Sequence, residues 1–279
     1  MHGSSGHPAR RNLSGWHSFQ IARRLTTGRL IAVDKDREAI AAAGIRLAPF
    51  PLAQVVQGDF ADIPQILESL SLPCADGVLL DLGVSSHQLD TPERGFSYSV
   101  DAPLDMRMSG EGQTAADLLN TAPEEELVTI FFRYGEEKFS RRIARSIVER
   151  RQDQPLQTTG ELVDLIRASI PAAARREGGH PAKRVFQAVR IAVNGELESL
   201  ERALNSIFEI LNPGGRFAVI TFHSLEDRMV KQAFAALAKG CTCPPDFPVC
   251  VCGKTPRGRL VTKKPVLPGK EELSTNPRS

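Results

Sequence analysis

Apolar positions along this chain fall into two rhythms. Short continuous apolar runs that end in or near an acid occupy the first ninety residues: Leu30-Ile31-Ala32-Val33 before Asp34, Val55-Val56 shortly before Asp59, and Gly77-Val78-Leu79-Leu80 before Asp81. Between them, residues 37–43 and 64–70 read as helices, the second with proline in its first turn, where the missing N–H costs nothing. Buried strands alternating with helices at this spacing predict βαβ units and a parallel sheet. The segment Leu211-Asn212-Pro213-Gly214-Gly215-Arg216 reads as a helix end stopped by Pro and Gly, and Phe217 to Phe222 as the next buried strand. About 130 residues separate that strand from Asp81, whereas one crossover needs only a few tens, so an inserted domain is predicted.

The second rhythm lies in that insertion and is helical. Phe139, Ile143, Ala144, Ile147 and Val148 recur at three- and four-residue spacing, and Leu162, Leu165, Ile166 and Ile170 do so again after Thr158-x-x-Glu161, which has capping-box form. A third, long helix is predicted from Phe186 through Val193, Leu200 and Ile207 to Leu211, with one apolar face kept despite Gly195. The divisions that follow are residues 1–92, the helical insertion 93–195, and a return to the sheet over 196–279.

Composition narrows the class. With 279 residues, 41% hydrophobic and 24% charged, the chain has the make-up of a soluble globular protein and no apolar stretch long enough to span a bilayer. Residues 1–14 lack the apolar core of a secretory signal and five cysteines are too few for a disulfide scaffold, which makes the cytoplasm the expected location. The formal charge of +2 predicts no partner, but its distribution changes the picture. Residues 133–190 hold 13 basic against 7 acidic side chains and residues 253–279 hold 7 against 2, which permits a polyanion partner as well as solvated helix faces.

The richest chemistry lies at Asp81-Leu82-Gly83-Val84-Ser85-Ser86-His87-Gln88-Leu89-Asp90, where a buried strand delivers a carboxylate to a small-residue loop. In open α/β sheets ligands sit beyond the carboxyl ends of the strands, so Asp81 and the hydroxyl of Ser85 are candidate catalytic groups, with a loop-capping role for the acid as the alternative.

These residues, with Arg94-Gly95-Phe96-Ser97, Pro103-Leu104-Asp105-Met106-Arg107-Met108, Tyr134-Gly135-Glu136-Glu137, Phe186-Gln187-Ala188-Val189-Arg190-Ile191 and Phe222-His223-Ser224-Leu225-Glu226-Asp227-Arg228, resemble the bacterial RsmH family, formerly called MraW. The resemblance runs from about Gly15 to near the end of the chain. It implies an α/β fold, a class I S-adenosylmethionine-dependent methyltransferase sheet of Rossmann-like form with an inserted helical substrate domain. It also implies an activity, methylation of the exocyclic N4 amine of a cytidine in 16S ribosomal RNA of the small subunit. By the same resemblance Asp34 holds the ribose hydroxyls of S-adenosyl-L-methionine, Phe60 borders the adenine, and Asp81 and Gln88 lie near the methionine end. Gly15 and His17 match parts of the family's Gly-Gly-His-Ser loop.

The amino-terminal pattern departs from the family. No strand is legible before Gly15, and Trp16 stands where a glycine is expected, in space the backbone needs to approach the cofactor. The family's first strand is central, so its loss predicts a gap in the sheet. Asn276-Pro277-Arg278-Ser279 resembles the start of the family's closing strand, and the chain therefore reads as incomplete at both ends.

Three further constellations stay open. Arg184, Gln187, Arg190 and Asn194, after His180-Pro181-Ala182-Lys183, form a stripe that either contacts RNA phosphates and base edges or knits the two domains together. His223 and Ser224 follow a strand and are candidates for the acceptor pocket; no nucleophile elbow supports a Ser-His hydrolase. Cys241-x-Cys243 and Cys250-x-Cys252 suggest either zinc or reduced thiols; the spacing departs from the usual knuckles, and no metal is assigned from it. A nicotinamide-dependent oxidoreductase is disfavoured because no Gly-x-Gly-x-x-Gly follows a first strand. A non-catalytic RNA-binding relative is the stronger rival, and the Gly15 to Ser18 region discriminates it.

Overall fold

The structure is a computed structural model, and it describes residues 15–176, 179–241, 243–244, 247–249 and 251–275. The sequence readings on residues 1–14, on Cys250 and on Asn276 to Ser279 lie outside the described residues. Chain contacts divide the protein into two compact units, one of residues 1–63 with 84–196, the other of residues 64–83 with 197–279.

In the first unit, α1 (Trp16–Ala22) leads to β1 (Leu30–Asp34), α2 (Arg37–Leu47) and β2 (Ala53–Gln57). β1 and β2 pair in parallel with Asp34 opposite Gln57, as the first two apolar runs predict. The boundary element α3 (Ile63–Ser69) and the strand β3 (Ala75–Asp81) follow, then α4 (Ser86–Asp90). From Ala115 onward the insertion is built of helices: α5 (Ala115–Thr121), α6 (Glu124–Gly135), α7 (Ser140–Asp153), α8 (Thr159–Ser169), α9 (Ala172–Arg176) and α10 (Lys183–Asn194). The capping box read at Thr158 and Glu161 is present at the start of α8, with Thr158 Oγ1 accepting from Glu161 N and Glu161 Oε2 accepting from Thr158 N.

These helices enclose their own core, in which Leu119, Phe131, Ile143, Ile147 and Ile166 are wholly buried. Its close packing is visible at Gly135, where a Cβ would lie 2.6 Å from the carbonyl oxygen of Arg184, so α6 and α10 meet backbone to backbone. At the end of α5 the Arg151 guanidinium donates to the carbonyls of Leu119 and Ala122, both at 2.8 Å, and so satisfies acceptors that a helix C-terminus leaves open.

The single long helix predicted over residues 186–211 is two helices. Asn194 ends α10, Gly195 takes φ 59° as a left-handed C-cap, and α11 (Glu196–Ser206) starts afresh. Only glycine adopts that conformation without penalty, which is why an apolar periodicity that runs on across the break does not reveal it.

In the second unit, β4 (Leu211–Ile220) pairs in parallel with β3, with Leu80 opposite Val219 and Asp81 opposite Ile220. The reading of residues 211–216 as the end of a helix is corrected here, because the strand already begins at Leu211. Leu211 pairs with Ala75 and Arg216 with Gly77, so residues 212–215 form a bulge, with Gly214 at φ 84°. The Pro-Gly-Gly signal is thus a strand irregularity after a 3-10 turn, Ile207–Ile210. The unit continues with α12 (Ser224–Ala238) and α13 (Lys270–Thr275).

Among the described residues the strands form two separate two-stranded parallel ladders, not one sheet.

Candidate active site at the strand ends

Asp34 closes β1 and Asp59 follows β2, and the two strand ends are held together because Gly58 N donates to the Asp34 carbonyl at 2.9 Å. Asp59 caps the 3-10 turn that begins at Phe60: its Oδ1 accepts from Ala61 N, and its Oδ2 pairs with Lys35 Nζ at 3.0 Å. The structure therefore gathers Asp34 and Phe60, which the sequence singled out, with Lys35 and Asp59, to which it gave no role. Asp34 Oδ1 accepts from Asp36 N at 2.9 Å, and the Lys35 amide adds a backbone hydrogen bond to the same carboxylate. A carboxylate at a strand end is an acceptor for hydroxyl donors. Removal of water by packed neighbours, with the nearby Asp36 charge, raises the Asp34 pKa above its usual range, although part of the residue still reaches solvent.

Behind Asp34 lies a buried polar network. Asp36, only 3% exposed, caps α2 by accepting from Glu38 N, and its Oδ2 accepts from Gln88 Nε2 at 2.6 Å and from the Arg94 guanidinium at 3.0 Å. Gln88 Oε1 in turn accepts from Ser85 N, while Ser85 Oγ accepts from Gln88 N, which makes the capping box of α4. Ser85 and Gln88 are thus positioned by their own helix start, and Gln88 is fixed to the strand-end loop by Asp36. Arg94 spends its remaining donors on Glu38 and on the carbonyls of Arg107 and Met108, all at 3.0 Å. Glu38 also meets His87 Nε2 at 2.9 Å.

Asn194 holds the same loop from the other side, donating to the Met106 carbonyl at 2.7 Å and accepting from Met108 N at 2.7 Å. Between these anchors Met106 is wholly buried at φ 60°, an unfavourable conformation for a side chain with a Cβ, and such strain persists only where surroundings over-determine it. Arg190 forms a two-point ion pair with Glu196, at 2.8 and 2.9 Å. Gln187 Nε2 donates to the Tyr134 carbonyl and the Arg184 guanidinium to the Glu136 carbonyl. The four residues of the stripe accordingly have intramolecular partners; Arg190 and Asn194 act as struts of the unit, and Arg184 keeps the most exposed head. These contacts all lie within the first unit.

Gly15 and His17 are placed differently. Gly15, at φ 72°, lies against Ala43, where an added Cβ would come within 3.1 Å, seven residues and so about 10 Å along α2 from its Asp36 cap. Trp16 stacks on Phe19 and lies under Arg46, and His17 is exposed on α1. Gly15 caps and His17 lies on α1, the helix that packs on α2 and on β1.

The second unit carries its own strand-end cluster. Asp81 is the exposed last residue of β3, and the chain beyond it is tied to β4 by Leu82 N donating to the Ile220 carbonyl at 3.1 Å. Gly83 follows at φ 82° against the Phe222 ring, 3.3 Å from where a Cβ would sit. His223 caps α12 with Nδ1 facing Glu226 N, and its buried Nε2 lies 3.1 Å from Glu226 Oε1 without hydrogen-bond geometry. Glu226, 2% exposed, accepts instead from Phe222 N at 2.8 Å. Asp81, Phe222 and His223 therefore lie at the carboxyl ends of one strand pair on a hydrogen-bonded scaffold.

Parallel strands that end in acids, connecting helices and a helical insertion with a core of its own define a class I methyltransferase. The profile of the MraW methylase family matches residues 14–279. The chain is 57% identical over 269 residues to ribosomal RNA small subunit methyltransferase H of Heliobacterium modesticaldum, covering 95% of this chain and 86% of that protein. It is 56% identical over 268 residues to the protein of that name from Symbiobacterium thermophilum (95% and 84%), and 56% over 266 residues to the one from Brevibacillus brevis (94% and 85%). The chain belongs to the MraW methylase family and is a methyltransferase. Among the described residues no helix is long and apolar enough to cross a membrane.

Lys35, Asp36, Glu38 and Arg94 gain their place in the site only from the fold. Asp36 had a signal, an Asp at the N-cap position two residues before Glu38; Arg94 stood inside a family motif without a role.

Proposed function

We propose that this protein transfers the methyl group of S-adenosylmethionine to the exocyclic N4 of a cytidine in 16S ribosomal RNA of the small ribosomal subunit, in the cytoplasm. The observation that carries this reading is the match over nearly the whole chain to relatives named as small-subunit ribosomal RNA methyltransferases, in which the acids Asp34 and Asp81 fall at strand ends. Residues 1–92 and 196–279 form the methyltransferase part and residues 93–195 the substrate-recognition insertion.

When bound, S-adenosylmethionine supplies an activated methyl sulfonium. With it bound, the N4 lone pair would take the methyl carbon as the thioether leaves with the C–S electrons, and the N4 proton would pass to solvent or to a nearby acceptor. The amine is a poor nucleophile because its lone pair is delocalised into the ring. The protein's task is therefore alignment and acceptance of the N4 hydrogens, a task that proximity effects reward strongly. Asp81 is that acceptor, with Ser85 and the backbone of the loop beside it in sequence. Asp34 holds the ribose hydroxyls, Phe60 borders the adenine, and Gln88, pinned by Asp36, serves the methionine end. Gly15 and His17 are carried over by resemblance alone. Arg184 and Gln187 face RNA, Arg190 and Asn194 support that surface, and His223 lines the acceptor pocket. The target cytidine has to leave its stack, so structured RNA offers it only where it is readily splayed.

The test is calorimetric titration of the chain with S-adenosylmethionine, followed by mass analysis of 16S RNA from small subunits incubated with both. Micromolar binding and one added methyl on a cytidine N4 are expected; a folded protein that binds neither would refute the proposal. A pH series adds a second expectation. Only ionised Asp34 accepts from both ribose hydroxyls, and its pKa is raised, so cofactor affinity falls on acidification at a higher pH than an ordinary carboxylate would give. Asp34→Asn is expected to weaken binding and to flatten that profile.

A further inference from the structure

The chain leaves α12 at Ala238 and comes back to the same place, because Arg257 N and Gly258 N both donate to the Leu237 carbonyl, at 2.9 and 3.2 Å. Arg257 locks the return: its guanidinium binds both Glu209 oxygens at 2.7 Å and lies over the Phe208 ring. Between these points the described residues carry no helix or strand. Phe247, Val249 and Val251 are 51%, 70% and 73% exposed, so these apolar side chains of the loop form no core. Loops of this length without secondary structure are uncommon in compact proteins, and segments too small to bury a core are ordinarily stapled by a disulfide or a metal.

Within this loop the structure brings three thiols together. The sulfurs of Cys241, Cys243 and Cys252 all lie within 4.8 Å of one another, and those of Cys241 and Cys252 are 3.8 Å apart. A disulfide requires about 2.0 Å between sulfurs. Two thiolates on a tetrahedral zinc, each at about 2.3 Å from the ion, stand about 3.8 Å apart. Cys243 N also points at Cys241 Sγ, at 3.4 Å, the kind of amide contact that steadies a thiolate ligand.

We propose that Cys241, Cys243 and Cys252 are ligands of a structural zinc ion that closes the loop between α12 and the segment beginning at Arg257. Three thiolates select a soft or borderline divalent ion, and zinc is the one that favours tetrahedral sulfur without redox chemistry. The fourth tetrahedral position remains for another donor. Neither the strand-end carboxylates nor the methyl transfer take part, so the site stands independently of the proposed function.

The experiment is elemental analysis of the full chain, purified under reducing conditions without chelator. Stoichiometric zinc is expected, released when the thiols are titrated with a mercurial reagent, and replaceable by cobalt with thiolate charge-transfer absorption. Cys241→Ser and Cys252→Ser are expected to lose the metal, whereas Cys74→Ser, a change outside the cluster, retains it. Chelation is expected to speed proteolysis within residues 241–256 by about tenfold or more, because the staple is the loop's main constraint. Unaltered protein that binds no zinc after incubation and desalting, with its thiols titrating as free, would overturn the proposal, and so would a disulfide between Cys241 and Cys252 in fresh reduced preparations. Both readings come from the unaltered chain, so a variant that fails to fold leaves the test intact.

Discussion

Asp81→Ala is expected to lower methyl transfer by about 10²- to 10⁴-fold, the range in which loss of a positioned acid or base is felt, while RNA affinity stays within a few-fold. Asp81 is an exposed residue at the end of β3, and its backbone register opposite Ile220 is set by the ladder rather than by its side chain. Removing the carboxylate therefore takes away an acceptor without a cavity, and the fold is expected to survive. The two chemical roles separate with Asp81→Asn. An orienting acceptor is partly kept by the amide oxygen, so that variant would fall between wild type and alanine; a proton relay is lost with the charge, and the two variants would then be equally slow. Single-turnover measurement on saturated complexes checks this, because it isolates the chemical step from binding. Transfer at the wild-type rate by Asp81→Ala would remove this residue from the mechanism.

How far such roles were legible in the sequence depends on the range of the interaction. Asp34 and Asp81 announced themselves because an apolar run followed by an acid is a local pattern, and β1, β2 and β3 lie where such runs stand. The insertion was legible from the distance between Asp81 and Phe217, and its core from helical periodicity. Backbone conformation defeated the same reasoning twice. At Gly195 a left-handed cap interrupts an apolar face that continues across it, and at residues 212–215 a bulge hides a strand start behind residues that ordinarily stop helices. Long-range polar contacts were invisible. Arg94 and Asp36 lie 58 residues apart, and neither residue type nor spacing tells that the two meet. Charge composition likewise allowed Arg190 an RNA phosphate, whereas the fold supplies Glu196.

That hidden contact carries the second large effect. Arg94→Met is expected to destabilise the protein by about 3–5 kcal/mol, the usual cost of removing one partner of a buried ion pair. The guanidinium is 16% exposed and the Asp36 side chain 5%, so neither solvent nor salt replaces the lost charge well. Asp36 would be left with Gln88 as its one remaining long-range side-chain partner, and the carbonyls of Arg107 and Met108 would lose their donor. The loop bearing strained Met106 would then keep Asn194 as its side-chain anchor, together with backbone bonds the substitution spares, among them Met106 N to the Arg94 carbonyl and Ala115 N to the Asp105 carbonyl. Arg94→Lys restores the charge but not the forked geometry that serves four acceptors at once, and is expected to recover only part of the loss. Chemical denaturation of both variants gives the stability change. The double variant Arg94→Met with Asp36→Leu separates desolvation from attraction: if the cost of the single change is mainly an unpaired buried carboxylate, the double variant is the more stable of the two. A loss below about 1 kcal/mol in Arg94→Met, the scale of an exposed pair, would mean that water reaches Asp36 and that the network does not hold Gln88 in place.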